Sequence, residues 1–194
     1  MPDNPLADAK TQPKLLEQLP LRLHHHAFAV KDQEVNRQFI EDVLGIPLVA
    51  TWCERTFRPE LDREVDYCHT FFELADGGAL AFFQYADDEM WERNRARFHE
   101  SGNGGAWHIA FKVTQGTFDE LKRRIEAAKV PLRVTDHGYC VSMYITTPDG
   151  LRLEFTVDVP NVAEIAKMRR ADAHSELKRW LAGDRRTNNN DRPH

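Results

Sequence analysis

The sequence is poor in cysteine and has no long apolar run. Its three cysteines, Cys53, Cys68 and Cys140, are odd in number and widely spaced, without a CxxC pair. This spacing suggests no disulfide framework, and packing is the expected role of the thiols. No apolar run approaches the roughly 18 residues of a membrane span, and the polar start of the chain does not resemble a signal peptide. We therefore expect a cytoplasmic protein without a membrane partner.

Positive charge is also in short supply. The 194 residues include 26 Lys and Arg against 31 Asp and Glu, a formal net charge of -5. A nucleic-acid surface would need a basic excess, so this balance disfavours a nucleic-acid partner. Hydrophobic residues make up 41% of the chain, which is ample for a core at this length.

One internal repeat organises the chain. The segment 25–30 (HHAFAV) aligns with the segment 108–113 (HIAFKV) at the first, third, fourth and sixth positions. Both segments predict short strands with alternating faces. Because a repeat of this kind marks a duplicated structural unit, the two copies can be interpreted together.

A helix is predicted after each of these strands. In the first copy Asp32 can cap the helix and Gly45 ends it. In the second copy Thr117 and Glu120 have the spacing of a capping box. The apolar face predicted for the first helix consists of Val35, Phe39, Ile40, Val43 and Leu44.

Three strands are predicted after each helix, so each copy is a βαβββ unit. They lie near 46–52, 66–74 and 79–85 in the first copy, and near 132–137, 139–146 and 151–157 in the second. The first copy is longer, and its extra residues are placed in a polar loop from Trp52 to Val65. The predicted fold class is α+β, with two tandem βαβββ modules forming a curved mixed sheet around a central cavity, plus a C-terminal helix.

The predicted domain organisation follows from these units. It is a single domain over 21–158, comprising module one at 21–86, a linker at 87–104 and module two at 105–158. Residues 1–20 form an N-terminal extension, residues 159–182 the C-terminal helix, and residues 183–194 a tail predicted to be disordered.

Three consecutive histidines, His24, His25 and His26, precede the first apolar run. Strand alternation turns His24 and His26 towards the helix and His25 towards the other face, where the repeat also places His108. One histidine in a strand is more often an ordinary surface or core residue. Two at equivalent positions of a repeat favour metal ligands.

A carboxylate is available on the last predicted hairpin. Tyr144 and Glu154 lie five residues before and after Asp149, at the centre of the turn, so they are predicted to lie opposite each other on one face. Two imidazoles and one carboxylate are the ligand composition of non-haem Fe(II) or Mn(II) sites, and Zn(II) can bind the same ligands.

These features resemble the vicinal oxygen chelate superfamily, which includes glyoxalase I, fosfomycin-resistance transferases, bleomycin-resistance proteins and type I extradiol dioxygenases. The resemblance covers about residues 21–158 and is carried by the duplicated βαβββ pattern and by the segments FIEDVLGIPLV at 39–49 and TTPDGLRLEF at 146–155. In this superfamily the two modules pair within a chain or exchange between chains, which leaves a homodimer open.

The resemblance implies a particular chemistry. The equivalent of Glu154 in module one is Phe82 or Ala81, so His25, His108 and Glu154 remain as the three metal ligands. The segment 135–155 resembles the closing segment of extradiol dioxygenases, which makes His137 and Tyr144 the expected catalytic residues. The implied enzyme is an Fe(II) extradiol dioxygenase that opens a catechol-type aromatic diol with O2.

The alternatives are another metal-dependent enzyme on the same scaffold, such as a glyoxalase-like isomerase or a thiol transferase, and a non-enzymatic binding protein of the bleomycin-resistance kind. One departure bears on the choice. Extradiol enzymes carry a further histidine where this sequence has Gly78 and Ala79, and His69 on the preceding strand is the candidate substitute. The expected lining of an aromatic pocket is His69, Phe71, Phe82 and Trp107.

Overall fold

The computed structural model describes residues 16, 18–100 and 107–189. Almost all of the expected N-terminal extension, residues 101–106 of the linker and the end of the tail lie outside the described residues. Within them the α+β class, the two βαβββ modules and the C-terminal helix are confirmed.

Module one forms a four-stranded sheet in the order β1-β4-β3-β2, in which β1 and β4 are parallel and the other pairs antiparallel. Its elements are β1 His25–Ala29, α1 Gln33–Arg37 with a π-helical continuation Gln38–Val43, β2 Leu48–Arg58, β3 Arg63–Glu73 and β4 Ala79–Tyr85. Helix α2, Asp88–Glu100, follows this sheet.

Module two repeats this topology as a second sheet in the order β5-β8-β7-β6, again with one parallel pair, β5 and β8. Its elements are β5 Ile109–Lys112, α3 Gln115–Ala127, β6 Arg133–Asp136, β7 Cys140–Thr146 and β8 Arg152–Asp158. Helix α4, Val162–Leu181, comes after module two.

The first helix begins as predicted, because the Asp32 side chain accepts hydrogen bonds from the backbone N–H groups of Glu34 and Val35. It widens into a π-helix after Arg37, and Gly45 ends it with a positive φ of 80°. The assignment of Val35 to the apolar face is wrong, since its side chain is 45% exposed and Asn36 is buried instead. The wider turn rotates later residues relative to earlier ones, so the apolar face does not extend back to Val35.

The second helix begins earlier than predicted. Its N-cap is Thr114, whose hydroxyl accepts a hydrogen bond from the backbone N–H of Thr117. The capping box of Thr117 and Glu120 is therefore wrong, and Glu120 forms an ion pair with Arg124 at 2.7 Å. Thr114 and Thr117 both precede this apolar face, and the Thr114 hydroxyl accepts the hydrogen bond of the Thr117 backbone N–H.

The loop predicted between Trp52 and Val65 is also wrong. Strands β2 and β3 each continue through this region and form a long antiparallel ribbon. Polar cross-strand pairs hold it together, including an ion pair between Arg55 and Asp66 and a hydrogen bond from Tyr67 to Glu54. Because most of β2 is exposed on both faces, its composition is that of a loop and the usual apolar alternation is missing.

One hydrophobic core spans both modules. Side chains from the first helix, from α3 and from both sheets belong to it, among them Leu44, Leu121 and Phe155. The modules also meet at the turn after β7, where the Lys31 backbone N–H donates to Asp149 Oδ1 at 3.0 Å.

In the part of the chain that the structure describes, no helix is long and apolar enough to cross a membrane.

This shared core predicts the cost of truncating Leu121, which is only 4% exposed on α3. Leu121→Ala should lower the free energy of unfolding by about 2–5 kcal/mol, because it removes transfer free energy and leaves a cavity. Urea unfolding followed by circular dichroism measures the change. Leu177→Ala on α4 is the matched control, since Leu177 is 56% exposed. Equal losses in the two variants would contradict the assignment of Leu121 to the core.

Candidate functional site

The polar face of the second sheet brings four of the predicted residues together. The β7–β8 register pairs Tyr144 with Glu154, as predicted from the hairpin, and the β5–β8 register pairs Ala110 with Glu154. Strand alternation therefore places Glu154 on the face turned away from α3, with its neighbours Leu153 and Phe155 in the core. Glu154 is itself only 6% exposed, so its carboxylate needs partners.

Those partners form a continuous chain of hydrogen bonds. The Tyr144 hydroxyl donates to Glu154 Oε1 at 2.8 Å, and His137 Nε2 lies 2.8 Å from the same hydroxyl. A tyrosine hydroxyl has a single proton, so His137 Nε2 must be the donor in the second bond. At the other end of this series of hydrogen bonds, Glu154 Oε2 lies 2.7 Å from His108 Nε2.

Charge and burial keep the tyrosine protonated. Burial, and then the hydrogen bond to Glu154, raise the pKa of Tyr144 above its ordinary value. The Arg133 guanidinium lies over the Tyr144 ring, 4.8 Å from its centroid, and partly offsets this rise. Tyr144 is thus a proton donor held between an imidazole and a carboxylate.

His108 and Glu154 suit a divalent metal as a pair of donors. An imidazole nitrogen and a carboxylate oxygen that point at each other 2.7 Å apart can share a proton or bind one cation. Binding the cation would require His108 Nε2 to be unprotonated. Within the described ranges, however, no three His, Cys, Asp or Glu side chains lie close enough together to hold a metal. The predicted three-ligand set is therefore not assembled in this structure.

His25 lies on the first sheet among rings. Its Nδ1 is 2.8 Å from His24 Nδ1, and its ring centroid is 5.6 Å from Phe71 and 6.3 Å from His69. In a metal-binding histidine one ring nitrogen donates to a neighbour and the other binds the metal, so the tautomer of His25 with its proton on Nδ1 would leave Nε2 for a metal. His24 was expected to be an ordinary helix-facing residue, but it contacts the candidate ligand.

His69 lies in the same aromatic cluster. Its ring stacks on Phe83 with centroids 3.6 Å apart and lies 4.3 Å from Phe71. Burial, and then the neighbouring His25, lower the pKa of His69. His69 Nε2 is buried without a hydrogen-bond partner among the described residues. A neutral imidazole with one unused nitrogen therefore adjoins His25.

The two other expected pocket residues, Phe82 and Trp107, have surroundings different from those of His69 and Phe71. Phe82 is 1% exposed and packs in the hydrophobic core on the helix side of β4. The register also makes Ala81 the equivalent of Glu154, since Ala27 pairs with Ala81 as Ala110 pairs with Glu154. Trp107 contacts Phe28 and lines a cavity of about 550 Å³ together with residues of β1, α2 and the turn at Asp149.

Two contacts of the site were not predicted from the sequence. Arg133 reaches Tyr144 because β6 pairs with β7, and the hairpin register could have revealed this neighbour. Asn189 donates to the carbonyl oxygen of His137 at 2.8 Å. That contact comes from the C-terminal tail, for which neither periodicity nor spacing offered a signal.

Two βαβββ modules, each with one parallel and two antiparallel strand pairs, define the fold class of this chain. The chain belongs to the Glyoxalase/Bleomycin resistance protein/Dioxygenase superfamily, whose family model matches residues 22–155. The predicted superfamily is thereby confirmed.

Several solved structures are similar to this chain at low sequence identity. A glyoxalase/dioxygenase from Nostoc punctiforme is 21% identical with a TM-score of 0.52, over 77% of this chain and 99% of that one. A lactoylglutathione lyase from Agrobacterium tumefaciens is 20% identical with a TM-score of 0.46, over 72% and 96%. A mutant of the fosfomycin resistance protein FosX from Listeria monocytogenes, complexed with Mn(II) and a dihydroxypropylphosphonic acid, is 17% identical with a TM-score of 0.47, over 74% and 97%.

The hydrogen-bond chain predicts the effect of removing one hydroxyl. Tyr144→Phe should lower the free energy of unfolding by about 1–3 kcal/mol, because it removes a partner from both Glu154 and His137. Chemical denaturation of the metal-free protein measures the change. Tyr85→Phe, at a tyrosine of the first sheet that stacks on Phe83, is the control. A loss no larger than in the control would mean that the Tyr144 hydroxyl does not stabilise this site.

Proposed function

We propose that the chain is a metal-dependent ring-cleaving dioxygenase that acts on a catechol-type aromatic diol with O2. The observation that carries the proposal is the chain of contacts from His137 through Tyr144 to Glu154 and His108. It supplies two metal donors and, next to them, two groups that can hold and move a proton.

The metal would be Fe(II), with Mn(II) and Zn(II) as the alternatives, held by His108 and Glu154. When bound, it would hold both oxygens of the diol, lower their pKa and bring the ring beside O2. The Tyr144 hydroxyl would donate its hydrogen bond to a diol oxygen instead of to Glu154. His137 Nε2–H would then replace any proton that Tyr144 gives up.

His25 is the proposed third ligand. Its repeat-equivalence to His108 and the contact of its Nδ1 with His24 support this role. His25 lies on the other sheet, so a three-ligand site needs it to be brought to His108 and Glu154. His25 would come either from the same chain or from a second copy of the chain in a homodimer. The rings of Phe71, Phe83 and His69 would accompany it and offer apolar contact to an aromatic substrate.

Metal binding tests the ligand set directly. Protein purified without chelators, or loaded with Fe(II) under anaerobic conditions, should hold one metal ion per site by elemental analysis. His108→Ala, Glu154→Gln and His25→Ala should each weaken binding by more than about 100-fold, because each removes one ligand. His174→Ala, an exposed histidine on α4, is the matched control. Full iron occupancy in His25→Ala would remove His25 from the site.

Oxygen consumption tests the reaction. Protein reconstituted with Fe(II) should take up O2 with one or more members of a catechol panel and form an absorbing ring-opened product. His137→Asn should lower kcat by about 10²–10⁴-fold while retaining Fe(II), because it removes the proton donor to Tyr144.

Three outcomes would contradict the dioxygenase proposal. Catechol binding by the iron-loaded protein without any O2 uptake would exclude it. Activity with Mn(II) or Zn(II) that needs no O2 would assign the site to an isomerase or a thiol transferase. Protein that binds no metal would match a binding protein of the bleomycin-resistance kind.

A further inference from the structure

Two of the three cysteines lie side by side in the β2–β3 ribbon. Cys53 and Cys68 are direct cross-strand partners in the antiparallel register. Directly opposed residues of such a ladder point to the same face of the sheet. Both are free thiols in this structure. Their separation in sequence conceals this pairing, which arises only because the ribbon replaces the predicted loop.

The ladder brings the two cysteines within disulfide range. Opposed residues of an antiparallel pair have Cα atoms about 4.5–5.5 Å apart. A disulfide spans about 4.4–6.8 Å between Cα atoms, and the separation typical of such a ladder lies within that range. The Cys53 thiol is also near enough to affect Cys68, because burial and then Cys53 raise the pKa of the Cys68 thiol.

The surroundings expose one thiol more than the other. Cys53 is exposed, Cys68 is half-buried, and both line a surface cavity of about 560 Å³. The ion pair of Arg55 and Asp66 lies on the same wall of that cavity. A small-molecule reagent can therefore reach Cys53 first, with Cys68 positioned behind it. Cys140 is buried in the second sheet and takes no part.

We propose that Cys53 and Cys68 form a dithiol site that low-molecular-weight disulfides oxidise to a cross-strand disulfide. The Cys53 sulfur, on losing its proton, attacks one sulfur of the small disulfide and releases a first thiol. The Cys68 sulfur then loses its proton, attacks Cys53 Sγ and releases a second thiol. The protein gives up two hydrogens and two electrons, and the small disulfide is reduced to two thiols.

This site is independent of the candidate metal ligands. Cys53 and Cys68 face the side of the ribbon opposite to their neighbours Trp52 and His69, which pair with each other in the same ladder. The bond would join β2 to β3 at the centre of the ribbon and restrict the unfolded chain. The thermal midpoint should therefore rise by roughly 5 °C on oxidation and return on reduction with dithiothreitol.

Intact mass after incubation of the full-length native protein with glutathione disulfide tests the proposal. The wild type should lose about 2 Da and two of its three titratable thiols, with no retained glutathione. A peptide map should join Cys53 to Cys68. Cys68→Ser should instead gain one glutathionyl group on Cys53, because no second thiol is present to displace it. Cys140→Ser is the matched control and should behave as the wild type.

Either of two results would overturn the proposal. One is a wild type that ends with glutathione on Cys53 to the same extent as Cys68→Ser, since the second thiol would then be out of reach. The other is a disulfide-linked dimer joined through Cys53 of two copies. Circular dichroism of each serine variant before oxidation establishes that the thiols are compared in folded proteins.

Discussion

The buried carboxylate of Glu154 is the group on which the candidate site depends. A carboxylate that is 6% exposed is costly unless hydrogen-bonded, and Tyr144 and His108 each supply a partner. Both partners are in place only if β8 pairs with β7 in the observed register and with β5 in parallel. The packing of Leu153 and Phe155 in the core sets that register, because a slip of one residue would turn Glu154 inward.

Duplication has left the two modules with different chemistry on equivalent faces. Module two presents Glu154, Tyr144 and His108 as a polar network. Module one has Ala81 where Glu154 would stand, and the space near His25 holds aromatic rings. The small side chain of Ala81 needs no hydrogen-bond partner and leaves room for rings, whereas the Glu154 carboxylate requires donors. The acid and base groups are therefore in one sheet and the apolar contact surface in the other.

Local errors in the sequence-based predictions have a common physical cause. Val35, Thr117 and the loop after Trp52 were assigned from patterns that describe regular elements buried on one face. The first helix changes its turn width, the second helix is capped by an earlier threonine, and the β2–β3 ribbon is solvated on both faces. In the ribbon, cross-strand polar contacts such as the ion pair of Arg55 with Asp66 take the place of the apolar pattern.

The sequence by itself determined the duplicated βαβββ scaffold, the pairing of Tyr144 with Glu154 and the face on which His25 and His108 lie. Strand alternation and hairpin symmetry about Asp149 act over a few residues, so they can be inferred without a structure. The tertiary structure alone decided that Cys53 faces Cys68, that Asn189 donates to the His137 carbonyl oxygen, and that His25, His108 and Glu154 form no three-ligand group among the described residues. Those relations depend on how separate strands and sheets pack, and the spacing of residues along the chain does not specify them.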